Sequence, residues 1–271
     1  MIRFIKNHSK KALLELVEIY EFRNILRSLV TKDLFGRYRN SILGFSWNFI
    51  TPLILMIMYY IVFTEVNVDT HIAYKWVFIS TAIFLFHFMS RCITGGTNAF
   101  TNNAGMIKKM YFPREILALS SATSSMVVCI TGYAIVLLGL IVTGFPINWA
   151  TALYLPLILS LAFIFGIGAI LFLSSITVYI RDIQYLLGTM GIALFVMTPM
   201  RYMASDATGI LSTVVWYNPL TYYMECVHNV LYWGIAPMGG HLIMCTIISF
   251  VTLLVGYITF KKLKRGFVKK L

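Results

Sequence analysis

Few side chains in this 271-residue sequence could catalyse a reaction. Ten residues are acidic and five are histidines, and the one plausible acid–base cluster among them is Asp206, Glu225 and His228. A positioned acid and base would support proton transfer during reaction of a sugar carried on a lipid. The scarcity of acidic residues weakens this interpretation, and an integral membrane enzyme acting on lipid-linked sugars stays an alternative.

Other kinds of chemistry lack their usual residues. The sequence has no GxxxxGK[ST] motif, so this chain cannot bind ATP through a phosphate-binding loop. Its histidines are scattered, and its four cysteines lack the spacing of metal ligands. A proton-coupled carrier usually needs buried carboxylates, which are scarce here. We therefore expect no catalytic residue, metal or cofactor on this chain, with an ion-coupled carrier as a further alternative.

The elements that must position any site are long apolar helices. Hydrophobic residues make up 59% of the chain and charged residues 12%, and the apolar residues occur in long uncharged blocks. A helix of ~20 apolar residues crosses the ~30 Å core of a bilayer. The sequence therefore predicts an all-α integral membrane protein with about six transmembrane helices. We expect them near residues 43–64, 76–98, 117–143, 150–179, 184–199 and 239–260.

The distribution of basic residues predicts the orientation. The net charge of +12 could suggest a nucleic-acid partner, but the basic residues gather at the two ends and in one short loop. Six spans place these segments on one side, which indicates a plasma-membrane protein with both termini in the cytoplasm and no nucleic-acid partner. The predicted domains are a cytoplasmic N-terminal region (1–40), a transmembrane domain (41–262) and a basic tail (263–271).

The segment 21–40 has the pattern of an amphipathic helix. Its apolar residues recur at helical spacing on one face, and basic residues fill the rest. A basic amphipathic helix in the plane of the lipid headgroups fits this pattern, with an ordinary solvated helix as the alternative. The residues that we expect to mark it are Arg27, Lys32, Arg37, Tyr38 and Arg39.

The segment 200–235 precedes the last span and is more apolar than an exposed loop. An apolar stretch at 210–217 is too short to cross the membrane, Asn218-Pro219 breaks the helix, and a second short helix follows. Two short helices around a proline predict a re-entrant hairpin in the outer leaflet, which requires surrounding protein or a water-filled cavity. It is a candidate gate, with an interfacial cap that has no gating role as the alternative.

Arg91 is the charge that lies inside a predicted span. It follows Val77 by fourteen residues, which is ~21 Å along a helix and places it in the inner third of the membrane. It either extends to the interface or pairs between helices, or it faces a translocation path and meets anionic groups. Aromatic residues within the spans could line such a path or could pack the helix bundle. The candidates are Tyr59, Tyr60, Phe63, Phe84 and Phe88.

Four motifs, in this order and spacing, resemble a known family. They are LRSLVTKDLFGRYRNSILGFSWNFITPL (26–53), NNAGMIKKMYFPREIL (102–117), VYIRDI (178–183) and WYNPLTYYMECVHNVLYWG (216–234). Each motif is weak alone. Together they are similar to the membrane subunit of ABC exporters of polysaccharides and teichoic acids, and the resemblance covers about residues 25–262.

This resemblance implies roles for two groups of residues. The loop 102–116 would be a coupling helix that docks into the ATPase subunit, marked by Lys108, Lys109, Phe112, Pro113 and Arg114. Residues 199–219 would form the outer gate, marked by Pro199, Arg201, Tyr202, Trp216, Asn218 and Pro219. After Pro199 the family usually has an apolar residue and then an aromatic one, whereas here Arg201 stands between Met200 and Tyr202. This charge either favours an anionic polymer or lies among headgroups.

The resemblance also implies a function and partners. Two copies of the chain would form a path at their interface, and two copies of a separate P-loop ATPase would hydrolyse ATP with Mg²⁺. The expected cargo is a lipid-linked polysaccharide or a teichoic-acid-like polymer, moved from the cytoplasm to the outer face of the membrane. An ABC permease for a lipid, a drug or another small molecule is the alternative within this class.

Overall fold

The computed structural model describes residues 20–36, 41–65, 72–110 and 112–270, without the side chains of residues 45, 59, 63–65, 268 and 269. Its described part is helical throughout and contains no strand. The helices are α1 (Arg23–Gly36), α2 (Trp47–Glu65), α3 (Lys75–Ser90), α4 (Ala104–Lys109), α5 (Glu115–Val142), α6 (Trp149–Ala152), α7 (Leu155–Thr177), α8 (Asp182–Met197), α9 (Gly209–Tyr217), α10 (Pro219–Val227), α11 (Gly239–Leu263) and α12 (Phe267–Lys270).

Four helical segments in the described residues are long and apolar enough to cross a membrane. They are Lys75–Asn98, Glu115–Val142, Trp149–Thr177 and Gly239–Gly266. Two shorter apolar segments, Trp47–Val62 and Asp182–Met197, lie at the other two positions that the sequence marks as spans. The prediction of an all-helical membrane protein with several spans is confirmed, whereas the count of six stays a prediction.

Helix α3 lies at the centre of the bundle. It contacts α2, α5, α7 and α10, and almost every side chain from Trp76 to Met89 is buried. A buried hydrogen bond joins it to α5: the Tyr133 hydroxyl donates to the Thr81 carbonyl oxygen at 2.8 Å. Because hydrocarbon offers no hydrogen-bonding partner, such internal pairing is required for a buried hydroxyl in a span.

The last span, α11, packs against α7 through small residues. The two backbones approach so closely that a Cβ atom on Gly256 would lie 2.2 Å from the carbonyl oxygen of Gly168. Nearer the outer end of the same contact, the Ser249 hydroxyl lies 2.8 Å from the Leu161 carbonyl oxygen. Small residues allow this approach, and van der Waals contact then holds membrane helices together where the hydrophobic effect cannot.

We predict that Gly256→Ala destabilises the bundle, because the added methyl group meets backbone that cannot move aside. Overpacking of this kind costs about 1–3 kcal/mol, which is on the order of 5 °C in melting temperature for a chain of this size. The matched control is Gly240→Ala on the same helix, where an added Cβ meets nothing within 4 Å. Thermal unfolding of the purified proteins checks this, and equal melting temperatures for the two variants would contradict the contact.

Candidate functional sites at the two ends of the bundle

The loop between α3 and α5 contains an exposed basic turn, Lys108–Met110, next to the buried side chain of Phe112. Helix α4 ends with Lys108 and Lys109, and both side chains are exposed, as is Met110. Phe112 is instead 6% exposed and belongs to the main core cluster. Of the residues that were predicted to mark this loop, Lys108 and Lys109 are therefore accessible at the surface, and Phe112 fixes the loop to the bundle.

Arg114, the last predicted residue of this loop, contacts the C-terminal segment rather than solvent alone. Its guanidinium donates a hydrogen bond to the Lys264 carbonyl oxygen. The Lys264 ammonium in turn lies 3.0 Å from the Glu115 carboxylate. The Tyr179 hydroxyl, after α7, donates to the Leu263 carbonyl oxygen at 2.9 Å. The start of α5, the end of α7 and the end of α11 are thereby tied together at one end of the bundle.

Helix α1 has the amphipathic character that the sequence predicts, within the residues described. Leu29 and Leu34 are buried, whereas Arg27 and Lys32 are exposed. The helix packs against α5, and the Lys32 ammonium donates a hydrogen bond to the Asn103 side chain at 3.1 Å. The three remaining predicted residues, Arg37, Tyr38 and Arg39, lie outside the described residues.

Arg91 begins a π-helical turn, Arg91–Gly95, within the apolar segment Lys75–Asn98. Such turns are rare and frequently mark functional sites. Two cavities adjoin Arg91, one of about 190 Å³ between α2, α3 and α5, and one of about 480 Å³ beneath α1. Asn48 lines the first, is 2% exposed, and has no protein partner for either atom of its amide. An unsatisfied buried amide costs about 1–3 kcal/mol, so a water or a ligand is expected there.

The aromatic residues predicted to line a path occupy different surroundings. Phe84 and Phe88 are buried in the core, where they contact α5 and α7 at Gly132 and Gly166. Tyr60 on α2 is 48% exposed, with its ring 5.5 Å from that of Trp76. The side chains of Tyr59 and Phe63 lie outside the described residues. Packing within one chain therefore accounts for Phe84 and Phe88, and Tyr60 is the described aromatic that faces outward.

The outer hairpin is built around Asn218. Helices α9 and α10 meet at this residue, and its side-chain oxygen accepts a hydrogen bond from the Leu220 amide at 3.0 Å. Pro219 occupies the first position of α10, where its missing N–H costs nothing. The side-chain nitrogen of Asn218 donates to the Thr198 hydroxyl at 2.9 Å, which joins the hairpin to the end of α8. The predicted helix break is present, and the depth of the hairpin in the membrane stays a prediction.

The remaining outer residues form a short polar and aromatic layer. Pro199 is buried, and the guanidinium of Arg201 lies 4.7 Å from the ring centre of Phe195. The Tyr202 hydroxyl donates to the Met197 carbonyl oxygen at 3.3 Å. The Trp216 ring lies 5.9 Å from that of His241. The guanidinium of Arg201 therefore has a protein neighbour, the aromatic ring of Phe195 at the end of α8.

The three residues of the acid–base cluster suggested by the sequence lie in different surroundings: Asp206 is exposed, Glu225 is partly buried and His228 is buried. Burial raises the pKa of the Glu225 carboxyl above its ordinary range, and a hydrogen bond with the Ala204 backbone acts in the opposite direction. His228 is buried, stacks on Phe78 with 3.6 Å between ring centres, and contacts the Phe78 carbonyl oxygen through Nε2 at 3.2 Å. Within the described residues, no group of three potential metal ligands occurs.

Comparison with known proteins identifies the family. Residues 25–232 match the model of the ABC-2 type transporter family, which is most of the chain. The chain belongs to this family. Membership makes it the membrane-embedded permease part of a transporter and not itself an enzyme. The apolar spans and the cytoplasmic loop described above therefore belong to an ABC-2 permease.

Similar proteins of known name extend the match over the whole length. The chain is 25% identical over 257 residues to an O-antigen export system permease protein RfbA from Myxococcus xanthus, covering 94% of this chain and 98% of the relative. It is 26% identical over 253 residues to a protein of the same name from Klebsiella pneumoniae, covering 91% and 94%. The ABC-2 permease thus matches these relatives over nearly all of their length.

We predict that Asn218→Ala loosens the first turn of α10, because it removes both the helix cap and the link to α8. Loss of a cap costs about 0.5–2 kcal/mol. Hydrogen–deuterium exchange of the amides of residues 220–222 should therefore be faster in this variant.

The control for that measurement is Thr198→Val, which removes the hydrogen-bond acceptor on α8 but keeps the cap. It should leave exchange at 220–222 nearly unchanged and affect only the junction near residue 198. Equal protection of α10 in Asn218→Ala and the unaltered protein would show that the cap contributes nothing.

Proposed function

We propose that this chain is the membrane subunit of an ATP-driven exporter that moves a lipid-linked polysaccharide from the cytoplasm to the outer face of the plasma membrane. The observation that carries the proposal is the near full-length similarity to permeases named for O-antigen export. Family membership alone supports an ABC-2 permease of any cargo, and the relatives narrow the cargo to a glycan.

The proposed topology has six spans with both termini in the cytoplasm. Four segments have the length for this, and the two shorter ones of 16 residues would each extend ~24 Å. That is somewhat less than the ~30 Å hydrocarbon core, and flanking residues can make up the difference. The exposed Lys108 and Lys109, together with the basic segment 261–265, would then lie on the cytoplasmic side, as the positive-inside rule requires.

The energy source would be a separate ATPase with its own ATP and Mg²⁺. The sequence has no phosphate-binding loop, so hydrolysis on this chain would need another nucleotide site. The exposed turn Lys108–Met110 is the surface we assign to docking, because it projects from a loop that Phe112 anchors in the core. Closure of the ATPase could then push the bundle as a rigid body.

Two copies of the chain would complete the transporter, with the glycan moving between them. Helix α8 supports this arrangement: none of its side chains is buried, and its apolar residues Leu186, Ile192 and Val196 are among the exposed ones. An apolar face of this kind needs lipid or another protein chain as its neighbour. The outer hairpin, with Arg201 near its start and Trp216 next to its central break, would form the outer gate of this path.

The test of the function is purification of the tagged chain from mildly solubilised membranes, followed by identification of partners and measurement of ATP hydrolysis. We expect a P-loop ATPase subunit in an equal amount, and loss of outer-surface polysaccharide when the gene for this chain is removed. A preparation that lacks an ATPase and remains active on lipid-linked sugars would refute the proposal and indicate a membrane enzyme instead.

We predict that the double charge reversal Lys108→Glu and Lys109→Glu weakens ATPase docking. Both side chains are exposed, so the fold should be retained, and the expected results are reduced co-purification of the ATPase and at least a tenfold fall in export. Retained export with an unchanged amount of bound ATPase would remove α4 from the docking surface.

The control is Lys262→Glu, an exposed basic residue on the same proposed side but away from the loop. It should leave the bound ATPase unchanged, which separates a specific docking surface from a general attraction between basic and acidic proteins. Phe112→Ala is a poor test of docking, because emptying a core position costs about 3–5 kcal/mol and would destabilise the chain.

A further inference from the structure

Two cavities meet at Arg91 inside a single copy of the chain, and they differ in character. The larger, about 480 Å³, has Lys32, Asp33, Asn102 and Asn103 in its wall. The smaller, about 190 Å³, has mainly apolar neighbours such as Pro52, Leu55 and Phe88. Arg91 and Ser125 line both cavities, so the polar space and the apolar space adjoin at these two side chains.

The depth of the cavities matches the headgroup region and the first part of the hydrocarbon. Helix α5 begins at Glu115, and its serines at 121, 124 and 125 line the polar cavity. Ser125 is ten residues from the start, which is ~15 Å along the helix. Val128 and Cys129, one turn further, line the apolar cavity. The wall therefore changes from polar to apolar in the same direction as a lipid monolayer.

The charge in the polar cavity favours an anion. Lys32 and Arg91 contribute two positive charges, and Asp33 is the acidic residue among the described part of the wall. Serine hydroxyls and asparagine amides supply neutral hydrogen-bond donors around them. Guanidinium, ammonium, hydroxyl and amide donors together are the set with which proteins bind phosphate groups.

Asn48 provides an independent indication that a ligand enters. Its side chain is 2% exposed and lies in the wall of the apolar cavity, with both hydrogen-bonding atoms unpartnered. Buried amides in proteins are almost always paired, so an amide left open toward a cavity indicates a missing partner there. The π-helical turn that begins at Arg91 adds local distortion of a kind that clusters at functional sites.

We propose that these adjoining cavities bind the phosphate headgroup of an amphiphile, with its apolar chain directed past Asn48 toward the hydrocarbon. Lys32 and Arg91 meet the phosphate oxygens, and the Asn48 amide hydrogen-bonds to the ester end of the headgroup. The site lies within one copy of the chain and is distinct from a path between two copies. It rests on the proposed function only for the sugar that the amphiphile would carry.

The test uses the detergent-solubilised full chain, with its ATPase subunit where the two purify together, and two probes with the same tail. Hexadecyl phosphate carries the headgroup and hexadecanol lacks it, and bound probe is counted by native mass spectrometry. We expect the phosphate probe to bind at least tenfold more tightly than the alcohol. We further expect Arg91→Gln and Asn48→Leu each to weaken it about tenfold, and Arg91→Lys to weaken it less.

Two controls keep the result interpretable. Arg265→Gln removes an exposed arginine from the same side of the protein and should leave binding unchanged. Lys32→Gln alters an exposed residue of the site, so it tests the proposal even if Arg91→Gln fails to fold. Equal binding of the two probes, or binding that is unaffected by both Lys32→Gln and Arg91→Gln, would overturn the site.

Inorganic phosphate as a competitor distinguishes the source of the group. Competition only at more than a hundredfold excess supports an amphiphile, whereas competition at equal concentration overturns that part of the proposal and assigns the site to free phosphate. Binding by a complex that exports no polysaccharide would refute the proposed function and keep this site. If the complex exports polysaccharide but its binding of the phosphate probe does not depend on Lys32 or Arg91, this site would be refuted and the proposed function would stand.

Discussion

The structure depends on satisfying polar groups inside an apolar bundle. Tyr223 illustrates this, because its buried hydroxyl lies 2.6 Å from the Ser249 hydroxyl and 3.1 Å from the Cys245 carbonyl oxygen, which fixes α10 against α11. Serine and threonine side chains in α7 bond back to the carbonyl one turn earlier. Among the described residues, a few buried side-chain atoms have no hydrogen-bond partner, and apart from Ser80 they lie at the inner cavity of Asn48 or in and beside the segment 200–241. They are both amide atoms of Asn48, Ser80 Oγ, Arg201 Nε, His228 Nδ1, Asn229 Nδ2 and His241 Nδ1.

Helix α11 connects the two ends at which these exceptions lie. On the cytoplasmic side its last residues are held by Arg114 and Tyr179, next to the loop that we assign to docking. Toward the outer side it holds α10 through Tyr223, and its middle is locked to α7 at Gly256. A displacement of the loop therefore has a contiguous packed route to the hairpin. A packed route does not by itself couple the loop to the hairpin. Coupling requires an element that has two discrete arrangements, with the loop and the hairpin both shifting the balance between them.

Features that depend on local sequence pattern could be predicted from the sequence, whereas features that depend on contacts between distant residues could not. The apolar blocks predicted the positions of the helices, and Asn218-Pro219 predicted the break between α9 and α10, because length, hydropathy and proline act locally. The burial of Phe112 and the contact of Arg114 with Lys264, 150 residues away, could not be read from the loop itself. The unpaired amide of Asn48 was also missed, since only the packing of α2 against α3 and α5 buries it.

The central position of α3 bears on where a polymer could pass. Its side chains, including Phe84 and Phe88, fill the middle of the described bundle, and the cavities at Arg91 hold a few hundred cubic ångströms. That space suits a headgroup and part of a chain, whereas a polysaccharide needs a continuous passage across ~30 Å of hydrocarbon. Such a passage has to lie along an outward face, and Tyr60 on α2 and the apolar surface of α8 face outward. Bare hydrocarbon cannot line a path for hydroxyl-rich sugars, which favours closure of the path by a second protein surface. The proposed twofold dimer would provide that surface from the same residues.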